Sequence, residues 1–162
     1  MIITMRNIFY YNTSIGRIGI EENGIAITKL EFINNDVQEE IMEKNETALL
    51  KQAINELNEY LDGKRSSFDL PLEPKGTEFQ KKVWNALKEI PYGETRSYGE
   101  IAKVIGNEKA SRAVGMANNK NPIPIIIPCH RVIGANGRLV GYAGGLDIKE
   151  KLLEVEKSYI KS

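Results

Sequence analysis

The chain has 162 residues, of which 41% are hydrophobic and 27% are charged, and its acidic and basic side chains balance to zero. This composition is typical of a soluble globular protein. No run approaches the ~20 apolar residues of a membrane span, so we expect no membrane partner. Arg6 and Asn7 interrupt the first ten residues, which therefore do not predict a secretory signal. One cysteine excludes an internal disulfide and predicts a cytoplasmic protein.

Charge is distributed unevenly despite the zero total. Residues 1–74 carry 7 basic and 13 acidic side chains, residues 75–131 carry 10 and 5, and residues 132–162 carry 5 and 4. A basic central block is expected where a protein meets phosphate groups. Ordinary solvated surface explains the same counts equally well, so charge alone does not establish a nucleic-acid partner.

The first 70 residues predict a small α/β scaffold domain. Residues 8–11, 18–20 and 25–32 are short alternating runs that predict strands, with a hairpin turn at residues 21–24. Apolar residues at helical spacing predict an amphipathic helix over residues 45–61 that ends at Asp62-Gly63. Nothing in this half suggests catalysis. Pro71 and Pro74 fall in the predicted linker, residues 71–76, before a C-terminal domain of residues 77–162.

The C-terminal domain begins with helices that carry explicit start signals. Capping boxes at residues 77–80 and 97–100 open predicted helices over 79–90 and 98–104. A turn at Gly106-Asn107 leads to a helix over 108–117, and two short helices across such a turn form a helix-turn-helix. A last helix is predicted from Asp147, with Ile148, Leu152 and Val155 facing inward.

The second helix of this pair has an unusual composition. Arg112 stands among small residues, which are Ala110, Ser111, Ala113, Gly115 and Ala117. Small side chains allow a DNA backbone to approach closely, with Arg112 inserted among the bases. Tight packing of the same helix on Val83 and Trp84 is the structural alternative. We favour the DNA-binding interpretation.

Residues 122–145 hold the one cysteine and the one histidine of the chain, Cys129 and His130, side by side. Three prolines in the preceding apolar run exclude a helix and disfavour a central strand, so we expect the segment to hold Cys129 against a pocket wall. One Cys and one His cannot complete a structural zinc site. Cys129 is therefore a thiol nucleophile or an inert buried residue. Adjacent side chains point apart in extended backbone, so we do not expect a direct hydrogen bond between Cys129 and His130. We expect the thiol proton to reach His130 through a water or because the chain bends at Pro128.

Several motifs resemble the active-site signature of the O6-alkylguanine-DNA alkyltransferases, or methylated-DNA–protein-cysteine methyltransferases. They are Asn121-Pro122, Pro128-Cys129-His130-Arg131-Val132 and Gly141-Tyr142-Ala143-Gly144-Gly145. The resemblance covers residues 77 to 156, about half of the chain. It implies an α+β fold, with a ribonuclease-H-like N-terminal domain followed by a helical winged helix-turn-helix domain. It also implies a monomer that needs no cofactor or metal.

The resemblance implies a role for each matching residue. Cys129 would accept an alkyl group from O6-alkylguanine in double-stranded DNA, once per molecule, after the base rotates out through the minor groove. His130 would relay the thiol proton through water, Glu156 would orient His130, and Asn121 would brace the turn leading to the site. Tyr98 would press on the target phosphate and donate to guanine N3, while Arg112 would fill the vacated space. The resemblance further implies DNA contacts by Ser111, Ala113, Gly115 and Arg131, and a substrate pocket formed by Val132, Tyr142, Ala143 and Gly144.

Two other functions remain open at this stage. A Cys-His hydrolase would need a third orienting group and an oxyanion hole. A winged-helix transcription regulator with an inert or redox-sensing cysteine would read the major groove. Damage-sensing relatives that replace the acceptor cysteine are disfavoured by Cys129. Gly141 and Ala143 stand where some relatives have Asn and Ser, so the alkyl-size preference stays open, as does repair of O4-alkylthymine.

Overall fold

The computed structural model describes residues 5–33 and 45–161, with the side chains of residues 160 and 161 excepted. The chain divides into two compact units, Met1–Pro74 and Lys75–Ser162. The elements in chain order are β1 (Asn7–Thr13), β2 (Gly16–Glu22), β3 (Ile27–Phe32), α1 (Ala48–Leu61), α2 (Glu78–Lys88), β4 (Arg96–Ser97), α3 (Tyr98–Val104), α4 (Ser111–Asn119), β5 (Val132–Ile133) and α5 (Leu146–Lys161). In the described residues, no helix is long and apolar enough to cross a membrane.

The first unit is built on an antiparallel sheet in the order β1-β2-β3. A hairpin turn is present, but it lies at residues 23–26 rather than 21–24, because Glu21 and Glu22 belong to β2. In this turn Gly24 adopts a φ of 93° and the Asn23 side chain accepts from the Ala26 amide at 2.9 Å. Ile18 and Ile20 of the central strand are fully buried. Strands β1 and β2 extend beyond the predicted runs at both ends, since ladder hydrogen bonds continue through the polar residues there. Strand β3 begins at Ile27, two residues later than predicted.

Helix α1 supplies further core residues of this unit. It begins at Ala48 rather than at residue 45, because the Thr47 side chain accepts from the Leu50 amide and caps the helix. Leu50 and Tyr60, near its two ends, are fully buried. The predicted end is confirmed, with Asp62 at the C-cap and Gly63 at a φ of 74°.

The first residues of the predicted linker form backbone hydrogen bonds with strand β3. The Ile27 amide donates to the Pro71 carbonyl at 2.8 Å, and the Glu73 amide donates to the Ile27 carbonyl at 2.9 Å. Residues 71–73 therefore extend the edge of the first unit, because their backbone groups satisfy those of β3.

The second unit contains the helix-turn-helix formed by α3 and α4. Both predicted capping boxes are confirmed, at Thr77 for α2 and at Ser97 for α3. Helix α4 begins at Ser111, three residues later than predicted, because residues 107–110 form a turn and no side chain caps the helix. The indole of Trp84 in α2 donates to the Ala117 carbonyl of α4 at 2.9 Å, which fixes the two helices together.

Candidate active site

The segment that follows α4 is irregular, as its prolines predicted. The side chain of Asn121 spans it, accepting from the Ile123 amide at 3.0 Å and donating to the Ile127 carbonyl at 2.8 Å. A single 3₁₀ turn, Cys129–Arg131, then leads into β5. Cys129 is buried, with 4% of its surface exposed. The expected bend at Pro128 is present, since this residue is the N-cap of the 3₁₀ turn.

Helix α5 brings the carboxylate of Glu156 to this turn. Its Oε2 lies 2.7 Å from His130 Nε2, and its Oε1 accepts from the Gly93 amide at 2.9 Å. Burial raises the pKa of Glu156, but hydrogen bonds and charges of His130 and Arg131 outweigh burial and lower the pKa to about 2. The carboxylate is therefore ionised throughout the neutral range.

His130 is fully buried beside that carboxylate. Burial lowers the pKa of His130, although the hydrogen bond and charge of Glu156 oppose it. The imidazole is therefore neutral at pH 7, with the proton on Nε2, where it can be donated to Glu156. Nδ1 is then the basic nitrogen, and an imidazolium formed by protonating it would be stabilised by Glu156.

Arg131 does not serve the role predicted for it. The prediction of a DNA contact is wrong, because the side chain is buried and turned inward. Its Nε donates to Glu156 Oε1 at 3.0 Å, one terminal nitrogen donates to Glu156 Oε2 at 3.1 Å, and the other donates to the Ile90 carbonyl at 2.8 Å. Its guanidinium also lies over the Tyr92 ring, 5.5 Å from the centroid. Arg131 therefore holds Glu156 in place and cannot reach a phosphate.

The Cys129 thiol is protonated at rest. Burial raises its pKa to about 11, and several groups oppose that shift. They are the side chain of Asn121, the charge of Lys149 and the backbone N–H groups of Cys129 and Ile125. A base must therefore remove the thiol proton before the sulphur can act as a nucleophile.

Lys149 is a residue that the sequence reasoning missed. Its side chain is fully buried, and Nζ donates to the carbonyls of Val132 at 2.7 Å and Val140 at 2.8 Å. Lys149, Leu152 and Glu156 are the buried positions on this helix, whereas Ile148 and Val155, predicted to face inward, are only half-buried. The spacing of three and four residues could have indicated this face, but a lysine is seldom fully buried.

A second missed residue is Asn118, at the end of α4. It is buried, and its Nδ2 donates to the Cys129 carbonyl at 3.4 Å. Its Oδ1 has no hydrogen-bond partner among the residues that the structure describes. Asn118 thus connects α4 directly to the turn that carries the thiol.

The residues predicted to contact DNA lie mostly on the outer side of α4. Arg112 and Ala113 are exposed, whereas Ser111 and Gly115 are half-buried. The Tyr98 ring lies beside Gly115, and its hydroxyl donates to the Val140 carbonyl at 3.4 Å. Burial raises the pKa of Tyr98, and the charge of Cys129 adds to this effect, so the hydroxyl stays protonated. Val114 and Ala117 are buried, so α4 packs on one side, and its exposed side carries Arg112, Ala113 and Met116.

The predicted substrate pocket is divided between a buried strand and an exposed loop. Val132 is fully buried, Tyr142 and Gly144 are half-buried, and Ala143 is exposed. Through Val140, this loop is held by Lys149 and Tyr98. Among the described residues, no group of three His, Cys, Asp or Glu side chains could hold a metal ion. Cys129, His130, Glu156 and Asn121 are thus brought together, with Arg131 and Lys149 around them.

Two family models match the chain, one in each unit. The model of the 6-O-methylguanine DNA methyltransferase, ribonuclease-like domain, matches residues 8–74. The model of the 6-O-methylguanine DNA methyltransferase, DNA binding domain, matches residues 78–158. Together the two models describe a ribonuclease-like domain followed by a DNA-binding domain.

Similar proteins match over nearly the whole chain. The methylated-DNA--protein-cysteine methyltransferase of Methanosarcina barkeri is 50% identical over 157 residues, which cover 94% of this chain and 99% of that protein. The crystal structure of Mycobacterium tuberculosis O6-methylguanine methyltransferase has a TM-score of 0.86 at 45% identity, covering 95% of this chain and 94% of that one. The crystal structure of Mycobacterium tuberculosis OGT in complex with DNA has the same score and identity, covering 94% of each chain.

The fold and site define a two-domain protein with a DNA-binding C-terminal half and a buried cysteine. The chain belongs to the 6-O-methylguanine DNA methyltransferase family. The predicted resemblance and the predicted fold class, a ribonuclease-like domain followed by a helical DNA-binding domain, are both confirmed.

Proposed function

We propose that this protein repairs DNA directly, by accepting the alkyl group of O6-alkylguanine on the sulphur of Cys129. The observation that carries this proposal is the buried arrangement of Cys129, His130 and Glu156, with Glu156 Oε2 2.7 Å from His130 Nε2. Membership of the methyltransferase family supports it, as does the solved relative in complex with DNA. A transcription regulator would not explain why this cluster surrounds a thiol. A Cys-His hydrolase would share the cluster, and it is the match to the methyltransferase family that disfavours it.

The chemistry requires two proton movements and one exchange of bonds. The thiol proton passes through a bridging water to His130, and Glu156 stabilises the imidazolium that results. The thiolate attacks the alkyl carbon in line, so that a carbon–sulphur bond forms while the bond from carbon to guanine O6 breaks. The electron pair stays on the guanine, which takes up one proton from water and is restored. The imidazolium of His130 gives one proton back to water, so the protons balance. Tyr98, whose hydroxyl stays protonated, is the proposed donor to guanine N3 during this step.

The reaction leaves a thioether on Cys129. An alkyl group bound to sulphur is a poor electrophile, so we infer that each molecule reacts once. The same exchange applies to any O-alkyl carbon on a base that fits the site, which makes O4-alkylthymine a second proposed substrate. A reducing cytoplasm suits the free thiol, and a monomer suffices because the cluster is formed within one chain.

The alkyl carbon is inaccessible inside a duplex, so the nucleotide must leave the base stack at a cost of a few kcal/mol. We propose that α4 enters the minor groove with its small residues against the backbone and that Arg112 fills the vacated space. Arg112 is exposed on α4 and is therefore free to do so. Arg131 is not, because it is buried against Glu156.

Intact mass tests the transfer itself. Incubation with an O6-methylguanine duplex should add the mass of one methyl group to every molecule, and Cys129→Ser should remain unchanged. A wild-type protein that binds the duplex and gains no mass would overturn the proposal.

A comparison of two substrates tests the role of Arg112. Arg112→Ala should slow transfer from the duplex about tenfold, because the vacated space is left empty, and should leave transfer from free O6-methylguanine base unchanged. Lys109→Ala, on the turn before α4, is the matched control for loss of one positive charge. Equal losses with both substrates would contradict a role in the base stack.

A further inference from the structure

Ile125 has a backbone conformation that isoleucine seldom adopts. Its φ is 75°, and among the described residues it is the one position outside glycine with a positive φ. A β-branched side chain is strongly disfavoured there. The side chain is buried, with 1% of its surface exposed, so the chain keeps a large apolar residue where glycine would be unstrained. Strain of this kind persists only when the surrounding structure enforces it, and it is concentrated at functional sites.

The surrounding structure enforces it from two sides. The Ile127 amide donates to the Ile123 carbonyl at 2.9 Å and closes a tight turn around Ile125. The side-chain amide of Asn121 binds the same two residues through their other backbone groups, the Ile123 amide and the Ile127 carbonyl. The Cys129 amide then donates to the Ile127 carbonyl at 2.8 Å, which joins the turn to the residue that carries the thiol.

The groups around this turn affect the thiol. The side chain of Asn121, the charge of Lys149 and the backbone N–H groups of Cys129 and Ile125 all lower the pKa of Cys129, against the effect of burial. His130 adjoins the same turn, and burial and the charge of Cys129 raise the pKa of Tyr98 in α3. Water is largely excluded from this buried site, so negative charge on the sulphur depends on such fixed donors.

We propose that residues 123–127 form a thiolate cradle, in which the positive φ of Ile125 is maintained so that its N–H stabilises the sulphur once the proton has left. Ile125 is thus a positioning residue for alkyl transfer. This inference rests on the proposed role of Cys129 as the alkyl acceptor. Reversal of the chain does not by itself explain the strain, because a glycine at position 125 would reverse the chain without strain. The inference explains it by the position of the Ile125 N–H.

A first pair of variants measures the strain. Ile125→Ala and Ile125→Gly both remove the side chain, but only glycine relieves the positive φ. The unfolding midpoint followed by Trp84 fluorescence should be higher for Ile125→Gly than for Ile125→Ala. A lower or equal midpoint would show that the turn holds no strain and would overturn the inference.

A second experiment removes the donor alone. Replacing the amide that joins Pro124 to Ile125 by an ester deletes one N–H and keeps every side chain, and Ile125→Val is the control that keeps the N–H. Two quantities are measured: the apparent pKa of the thiol, from the pH dependence of its reaction with iodoacetamide, and the rate of methyl transfer at pH 7. The ester should raise the apparent pKa and slow transfer about tenfold, the loss expected for one hydrogen bond to a charged group.

An ester variant with an unchanged pH profile would overturn the inference, even if its unfolding midpoint fell, because a merely structural turn predicts that result. Failure of the proposed function is distinguishable from this. Wild-type protein would then gain no methyl group from the duplex, whereas the iodoacetamide profile needs no DNA and would still report on the cradle.

Discussion

Each unit of the molecule contains a buried glutamate that binds an arginine and a backbone amide. In the first unit, Glu56 accepts from the Asp69 amide at 2.8 Å and lies 3.5 Å from Arg65. In the second, Glu156 accepts from the Gly93 amide at 2.9 Å and from Arg131 at 3.0 Å. The third partner of the glutamate differs between the two units. In the first unit it is Gln52, whose side-chain amide donates to Glu56 at 2.8 Å.

The corresponding partner of Glu156 is His130, which adjoins the one cysteine of the chain. Gln52 cannot titrate, and the contacts of Glu56 fasten α1 to the segment that follows it. A buried, arginine-bound carboxylate is therefore not by itself a sign of chemistry. What distinguishes Glu156 is a titratable partner placed beside a nucleophile.

The largest expected difference between the two glutamates is in the rate of alkyl transfer. Glu156→Gln should slow methyl transfer at pH 7 roughly 100-fold, because the imidazolium of His130 loses its counter-charge. It should also cost about 3–5 kcal/mol of stability, since Arg131 is left buried without its anion. Glu56→Gln, the matched change in the first unit, should leave the rate of the folded protein unchanged. A comparable slowing in both variants would remove the distinction.

Lowering the pH should reduce the free energy of unfolding of the second unit, because Glu156 becomes protonated. Its pKa is lowered from an ordinary 4.5 to about 2 in the folded protein, so the unfolded chain takes up this proton first as pH falls. Its contribution is complete above about pH 4.5 and disappears towards pH 2, a loss on the order of 2–3 kcal/mol. Urea unfolding followed by Trp84, the one tryptophan, measures it in the unit that contains Glu156. An equally steep loss in Glu156→Gln would assign the effect to other groups.

The smallest expected difference concerns the two arginines. Arg131→Lys keeps the charge but loses the forked contact with Glu156 and the bond to the Ile90 carbonyl, so it should cost about 1–2 kcal/mol. Arg65 is a quarter exposed in its side chain, and Arg65→Lys should change stability by no more than about 0.5 kcal/mol. Trp84 fluorescence reports the first change, and hydrogen exchange of the α1 amides reports the second. Equal costs would mean that burial does not separate the two sites.

The sequence was informative where the cause of a structure is local. Thr77 and Ser97 each cap a helix together with a residue only three positions away, so both helix starts could be predicted. The proposed reactive pair, Cys129 and His130, is likewise adjacent in the chain. Helix α4 was placed too early because no side chain marks its start. The fate of Arg131 depends on Glu156, which is 25 residues away on another helix, and no local pattern records that contact.

The environments of Lys149 and Ile125 could not be predicted either, because they also depend on contacts that form only in the folded chain. The burial of Lys149 is decided by the carbonyls of Val132 and Val140, which only the folded chain brings to it. Composition predicts a lysine at the surface, and the helical spacing of its neighbours was too weak a signal against that expectation. The strain at Ile125 likewise needs the Asn121 bridge in order to be visible.

The position of Glu156 on α5 has a consequence for a protein under synthesis. The carboxylate lies 26 residues after His130 and 63 after Gly93. A ribosome that has completed the thiol has not yet completed its activating partner, and α5 can dock only after it has left the exit tunnel. If Cys129 reacts as we propose, a nascent chain would therefore carry an unactivated sulphur until the whole second unit has folded.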